Sequence, residues 1–144
     1  MQPLDLRFRP PRGPRETLLG LYFLPRTIDK LRAELPGGYL GPYLNEARGI
    51  SAYMCRRAGL DMEELRALVV ECADEDELTE RLRARLDPAV VEEANRKLEA
   101  LTIERLGPDD LAMVRRHNPI VATRPDLVRF FDIFEADDLA TYPD

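Results

Sequence analysis

The apolar residues of this chain recur every three or four positions over most of its length, which is the spacing of amphipathic helices. Residues suited to helix capping precede several of these runs, as at Ser51, Asp61, Asp74 and Asp87, and Gly107-Pro108 is a stop signal. The pattern predicts helices over residues 51–58, 61–72, 74–86, 87–107, 108–117 and 124–136.

The N-terminal segment follows a different pattern. Residues 1–12 contain three prolines and no helical period, which predicts an extended arm with Leu4, Leu6 and Phe8 alternating toward one side. Residues 14–24 begin with a proline suited to a first helical turn and are then apolar nearly all round. This run favours a buried helix, although a buried strand produces the same pattern.

Pro25 opens a further predicted helix, in which Ile28, Leu31 and Leu35 form an apolar stripe and the charged residues between them point elsewhere. Residues 36–45 hold three glycines and two prolines and are predicted to form a loop. The fold class is therefore mainly α: residues 1–144 form a single compact helical domain with an extended N-terminal arm and a Gly/Pro-rich loop. A chain of 144 residues is long enough to bury its own core.

Charge is distributed unevenly along the chain. The net charge is −6, yet residues 1–32 carry seven Arg or Lys against three acids. This indicates a basic segment that either packs on an acidic body or binds an anion. The acidic total and the lack of a basic stripe argue against nucleic acid as a partner.

Several classes of site and location are disfavoured by the sequence. No apolar stretch approaches the length of a membrane helix, and no secretory signal is apparent, so we expect a cytoplasmic protein with no membrane partner. Cys55, Cys72 and His117 show no metal-ligand spacing, and Ser51 is not in a nucleophile elbow. Glycine-rich phosphate and dinucleotide motifs are missing, so we expect no metal and no cofactor.

The candidate site lies in the stretch from Gly13 to Leu35. Arg15 and Arg26 each fall in the first turn of a predicted helix, and Asp29 and Lys30 follow Arg26 near the same face. Guanidinium groups beside free helix-start N–H groups suit a carboxylate or phosphate.

The same residues also fit a purely structural interpretation, in which their charges form ion pairs within the protein. Arg26 would pair with Asp29, Lys30 with Glu34, and Arg15 with an acid of the body. Tyr39 and Tyr43, in the neighbouring loop, would either wall a pocket or anchor the loop to the core.

Two segments of the same stretch resemble a known family. Pro11-Arg12-x-Pro14-Arg15-Glu16-x-Leu18 and Leu24-Pro25-Arg26-Thr27-Ile28-Asp29-Lys30-x-Arg32-Ala33 are similar to the N-terminal signature of small, mostly bacterial proteins designated domain of unknown function 5069. The loop Gly38-Tyr39-Leu40-Gly41-Pro42-Tyr43 also fits that family, whereas Gly13 stands where the family has Ser. The resemblance implies only that this stretch is a signature of the family, and it assigns no catalytic residue to the chain.

We therefore expect a non-enzymatic cytoplasmic module that binds a small anionic ligand or a protein partner, with Arg15, Arg26, Lys30 and the loop 36–45 as its surface. The alternative is an enzyme that uses Asp29 or Glu16 as acid or base beside Lys30 and Arg26. A third interpretation makes the stretch purely structural and assigns partner binding to the acidic helices, with Glu92 and Glu93 on the binding face.

Overall fold

The structure is a computed structural model that describes residues 1–43 and 49–143. In this part of the chain the backbone is mainly helical, as the sequence predicts, with one short β-hairpin. The elements in chain order are β1 (Thr17–Leu18), β2 (Leu21–Tyr22), α1 (Leu24–Ala33), α2 (Ile50–Ala58), α3 (Met62–Glu71), α4 (Glu75–Arg83), α5 (Pro88–Ala100), α6 (Pro108–His117) and α7 (Phe130–Thr141).

The predicted helix over residues 14–24 is wrong, because this segment forms the β-hairpin. Leu18 pairs with Leu21, so that Leu19 and Gly20 form a two-residue turn, both with positive φ. That conformation matches the twist of the two strands. Phe23 also has a positive φ of 71° and precedes α1 directly. The hairpin rather than a helix thus delivers the chain to the start of α1.

An amide side chain of α5 fixes the hairpin. The Asn95 side-chain oxygen accepts a hydrogen bond from the Tyr22 backbone N–H at 2.9 Å, and its NH₂ group donates to the Gly20 carbonyl at 2.8 Å. Both backbone groups would otherwise need water, because a two-stranded ribbon leaves its outer edge unpaired. The hairpin is therefore anchored to α5.

The extended arm docks beside the loop that follows α1. The Leu6 N–H donates to the Tyr39 carbonyl at 2.8 Å, and the Tyr39 N–H donates to the Leu4 carbonyl at 2.9 Å. Leu6 is fully buried, whereas Phe8 is 77% exposed. The prediction that Leu4, Leu6 and Phe8 share one side of the arm is therefore wrong for Phe8. Residues 36–43 form the predicted loop, and Leu44 and Asn45 lie outside the described residues.

Three of the predicted helix caps are confirmed. Asp61, Asp74 and Asp87 each accept a hydrogen bond from a backbone N–H of the following first turn. The cap predicted at Ser51 is wrong, because Gly49 occupies that position and the buried Ser51 hydroxyl lies 2.8 Å from the Thr27 hydroxyl. Ser51 thereby connects α2 to α1.

The C-terminal third differs from the predicted boundaries in two places. Helix α5 ends at Ala100 rather than near residue 107, and α7 starts at Phe130 rather than near residue 124. Between them the Ile103 N–H donates to the Val128 carbonyl, and the Phe130 N–H donates to the Leu101 carbonyl. This backbone pairing replaces helical hydrogen bonds at both ends, while α6 covers residues 108–117 as predicted.

The core has two parts that touch. The larger lies between the hairpin and helices α1 to α5, and the smaller contains Val114, Val121, Phe130 and Ile133. Partly buried side chains, among them Phe134, pack against both parts.

Candidate functional site

A cleft of about 800 Å³ lies between the two parts of the core, bordered by residues of α1, α2, α5, α6 and α7. Its volume falls within the range of small-molecule sites. Phe23, at the start of α1, lies at this cleft, and its ring stacks on Phe131 with centroids 5.7 Å apart. The unusual left-handed backbone at Phe23 therefore coincides with the cleft.

The border of the cleft is cationic although the chain is acidic. Among the described residues that border it, Arg and Lys outnumber Asp and Glu by six to three. The six cations are Arg26, Lys30, Arg56, Arg57, Lys97 and Arg105, and the three acids are Glu104, Asp110 and Asp137. A low-dielectric cleft with an excess of positive charge on its border focuses a field that attracts anions.

The rest of the border is largely apolar and aromatic. Phe23, Phe130 and Phe134 contribute rings, and Ile50, Leu101, Leu106, Met113 and Val114 contribute aliphatic or thioether side chains. Tyr53 lies on the α2 side, with the Arg57 guanidinium 5.2 Å from its ring centroid. This combination suits a ligand with both an apolar body and a negative group.

Arg26 is a buried structural cation as well as a residue of the cleft border. It is 3% exposed, and its guanidinium donates to both oxygens of Asp138, at 2.7 and 3.2 Å. Asp138 also accepts a 2.7 Å hydrogen bond from the Tyr43 hydroxyl. Burial and this carboxylate raise the pKa of Tyr43. The predicted site residues Arg26 and Tyr43 therefore meet at Asp138, which sequence reasoning missed.

Lys30 lies one helical turn after Arg26 and borders the same cleft. The residue is only 7% exposed, and its Nζ is 5.3 Å from the Phe23 ring centroid. Burial, together with the positive charge of Arg26, lowers the pKa of the Lys30 ammonium to about 7. Its amine is consequently unprotonated in a substantial fraction of molecules at neutral pH.

Asp137 of α7 also borders the cleft. Burial, together with the negative charge of Asp138, raises the pKa of Asp137. A raised pKa favours proton transfer by a carboxyl group near neutral pH, and Asp137 combines it with a place on the cleft border. Asp29 and Glu16 do not appear among the described residues that border the cleft.

The predicted position of Arg15 in a first helical turn is wrong, because Arg15 lies just before the hairpin. Its guanidinium contacts Glu99 of α5 and Asp132 and Glu135 of α7. The hydrogen bonds that the guanidinium donates to Glu99 and Asp132 raise the pKa of Arg15. The basic segment thus packs on the acidic body here.

Asp29 and Tyr39 also lie away from the cleft border. The Asp29 carboxylate accepts hydrogen bonds from the backbone and guanidinium of Arg12, not from Arg26, and Arg12 also binds Glu75. The Tyr39 ring lies under the Arg7 guanidinium at 3.7 Å. Arg26, Asp29 and Lys30 are buried as well, so α1 is covered on more than its apolar stripe.

Glu92 and Glu93 lie on an exposed part of α5. Glu92 is 3.4 Å from Arg96, and Glu93 contacts both Arg96 and Lys97. These contacts are the expected pairs three and four residues apart on one helix.

Sequence reasoning missed the exposed cations of the cleft, namely Arg56, Arg57, Lys97 and Arg105. On an isolated helix such residues are typical of a surface exposed to solvent. The packing of α2 against α5 brings Arg56, Arg57 and Lys97 to one cleft. The absence of an acidic residue three or four positions away is the signal that could have singled out Arg56.

In residues 1–43 and 49–143, no three His, Cys, Asp or Glu side chains are grouped to hold a metal ion. Over the same residues, none of the helices combines the length and the apolar character that crossing a membrane requires. Cys55 and Cys72 are buried and free, and burial raises the pKa of the Cys55 thiol to about 12.

A comparison with curated proteins found no match to this chain. A family model does match, over residues 8–140, and it carries the description Domain of unknown function (DUF5069). The match includes the cleft, the hairpin and all seven described helices except the end of α7. The resemblance noted from the N-terminal segments is thereby confirmed, and the chain belongs to the DUF5069 family.

Proposed function

We propose that this protein binds a small organic anion in the cleft between the two parts of its core. The observation that carries the proposal is the excess of three positive charges among the described residues of the cleft border, in a chain whose net charge is −6. Positive charges gathered around one cleft repel one another, and a bound anion would offset this repulsion.

The exposed cations are the groups available for the ligand. Within the described part of the chain, Arg56, Arg57 and Arg105 have no carboxylate within ion-pair distance. Arg26, by contrast, already binds Asp138. We therefore assign anion recognition to the exposed arginines, and the support of the cleft to Arg26 and Tyr43.

The aromatic wall indicates the rest of the ligand. Rings of Phe23, Phe130 and Phe134 offer flat apolar surface, which favours an aromatic or aliphatic body over a bare inorganic ion. A cytoplasmic location accompanies this proposal, because two buried free thiols suit a reducing compartment.

The proposal is tested by a thermal-shift screen of aromatic and aliphatic phosphates and carboxylates, followed by titration calorimetry of the compounds that stabilise the protein. A compound at about a hundred times its Kd adds about 2.7 kcal/mol to the free energy of unfolding. The double variant Arg56→Ala/Arg105→Ala should raise Kd about tenfold or more, equivalent to about 1.4 kcal/mol.

The matched control is Arg81→Ala/Arg83→Ala on α4, which removes the same charge from exposed positions that pair with Glu71 and Glu80. This control should keep the wild-type Kd within about twofold, because long-range charge is screened beyond about 10 Å. Equal loss of affinity in both double variants, or no stabilisation by any compound, would contradict the proposal.

A further inference from the structure

We propose that Lys30 captures a carbonyl group of the bound anion as a Schiff base. This inference rests on the proposed function for the delivery of an anion to the cleft, and it adds the chemical class of that anion, an aldehyde or ketone. Lys30 is the residue that forms the bond, and Lys97, the other lysine of the chain, is the control.

Lys30 combines enclosure with access to the cleft. The residue is 7% exposed, borders the cleft, and holds its Nζ against the face of Phe23 at 5.3 Å from the ring centroid. An amine in such surroundings loses the water that would stabilise its charged form. It also lies in a space large enough for a second molecule.

A neighbouring cation strengthens this effect. Arg26 precedes Lys30 by one helical turn and is itself buried, so two positive charges share one face of α1. The lowered pKa of Lys30 has burial as its largest cause and the charge of Arg26 as the next, while Glu34 and Asp138 act in the opposite direction. A desolvated lysine beside a second cation is an established way to activate an amine nucleophile.

The bond changes balance without a further reactant. The Nζ lone pair adds to the carbonyl carbon, the carbonyl π electrons move to oxygen, and this oxygen takes up the first proton that the nitrogen releases. The hydroxyl of the resulting carbinolamine takes up a further proton and leaves as water, while the nitrogen lone pair forms the C=N bond. The nitrogen then releases its second proton, which replaces the one used to form water, and the product is the neutral imine. We assign the protonation of the departing hydroxyl to Asp137, because its carboxyl group borders the same cleft as Lys30.

Lys97 provides a control inside the same cleft. It is the other lysine of the chain, it also borders the cleft, and its side chain is 50% exposed, with Nζ 4.0 Å from Glu93. The remaining amine is the Met1 amino group, which donates to the carbonyls of Val69 and Cys72. Only three amines in this chain therefore compete for a carbonyl probe.

The probe is pyridoxal 5′-phosphate, which unites an aldehyde, an aromatic ring and a phosphate. The full chain is incubated at neutral pH with an equimolar amount, reduced with borohydride, digested and mapped by mass spectrometry. An ordinary lysine has roughly a thousandfold smaller unprotonated fraction at pH 7 than an amine with a pKa of about 7. We expect at least roughly ten times as much label on Lys30 as on Lys97. The difference in label is smaller than the difference in unprotonated fraction because Lys97 is more exposed to the probe.

Two variants and one analogue complete the experiment. Lys30→Arg should remove the trapped label, and Lys97→Arg should retain it. Pyridoxine 5′-phosphate, which carries an alcohol in place of the aldehyde, should bind without reacting and should protect Lys30. Because the mapping is done on the wild-type chain, the result does not depend on the folding of Lys30→Arg.

Label that falls mainly on Lys97 or Met1, or equally on all three amines, would overturn the inference. So would binding of pyridoxine 5′-phosphate that is lost in Arg56→Ala/Arg105→Ala while the aldehyde is not trapped on Lys30. That last outcome would leave the proposed function standing, so the two failures are distinguishable.

Discussion

Arg26 and Asp138 form a buried ion pair in which two guanidinium nitrogens contact both carboxylate oxygens, at 2.7 and 3.2 Å. The pair joins α1 to α7 across 112 positions of sequence. Because both partners are at least nine-tenths buried, neither charge is compensated by water.

We expect removal of either partner to be strongly destabilising. Arg26→Met or Asp138→Leu alone should lower the free energy of unfolding by about 3–5 kcal/mol, because the remaining charge stays buried without its partner. The double variant Arg26→Met/Asp138→Leu should lose less than either single variant. Urea denaturation measures all three, and a double variant that loses the sum of the two single losses would contradict this account.

The titration of Lys30 predicts a pH dependence of stability. Its pKa is lowered to about 7 in the folded protein, so above pH 7 the unfolded chain holds more protons and the free energy of unfolding rises with pH. This contribution is lost as the pH falls toward 7. Between pH 7 and 8.5 it amounts to roughly 1–2 kcal/mol.

The measurement is chemical denaturation at pH 7 and 8.5. Lys30→Met should abolish this increase, because the titrating group is gone, and Lys97→Met should preserve it. Above pH 8.5 the ionisation of unfolded cysteine opposes the trend, since burial raises the pKa of Cys55 to about 12 in the folded protein. If the free energy of unfolding of Lys30→Met still rises between pH 7 and 8.5, a group other than Lys30 causes the rise.

The helices were predictable because their signals are local. Asp61, Asp74 and Asp87 each cap the turn that follows them, and the apolar stripes of α3 to α5 lie within single helices. The hairpin lacked such a signal: its turn has Leu19 rather than Asn at a positive φ, and its strands are too short to alternate. Contacts with Asn95 of α5 stabilise this turn, and no local pattern encodes them.

The site was predictable only in part, for the same physical reason. The stretch around Arg26 and Lys30 was singled out because Arg26 falls in the first turn of a predicted helix and Lys30 follows near the same face, and both residues do border the cleft. Asp138 and Arg105 reach the same region through the packing of α7 and of the segment after α5. Sequence separations of this size give no periodic signal.

The anchoring of the hairpin by Asn95 is testable by truncation. Asn95→Ala should lower the free energy of unfolding by about 1–2 kcal/mol, because two backbone groups lose their partners while alanine recovers some helix propensity. Denaturation should show this loss, with Glu92→Ala on the same helix as the control. A loss in Asn95→Ala no larger than in Glu92→Ala would mean that water replaces the amide at no cost.

Docking of the N-terminal arm depends on the absence of a side chain at Gly38. A Cβ there would lie 2.6 Å from the Ala33 carbonyl oxygen and 2.9 Å from that of Leu4. Gly38→Ala should therefore cost about 1–3 kcal/mol. It should also speed hydrogen exchange at the Leu6 and Tyr39 amides, which pair the arm with the loop.

Gly13→Ala is the control for this substitution, because its nearest non-neighbouring atom would be the Glu16 carboxylate at an ordinary 3.6 Å. It should leave exchange at the Leu6 and Tyr39 amides unchanged. Wild-type exchange at these amides in Gly38→Ala would show that the backbone accommodates the methyl group without releasing the arm.

The two loop tyrosines were predicted either to anchor the loop to the core or to form the wall of a pocket, and their surroundings differ. The Tyr43 hydroxyl donates to Asp138 at 2.7 Å, and its ring stacks on Tyr142 with centroids 6.5 Å apart, whereas Tyr39 is 50% exposed beneath Arg7. Tyr43→Phe should lower the free energy of unfolding by about 1.5–3 kcal/mol, because a hydrogen bond to a buried carboxylate is lost while the ring stack remains. Tyr39→Phe should cost less than about 0.5 kcal/mol. Equal and small losses in urea denaturation would mean that the Arg26 guanidinium alone satisfies Asp138, and that Tyr43 serves the cleft as a wall rather than as an anchor.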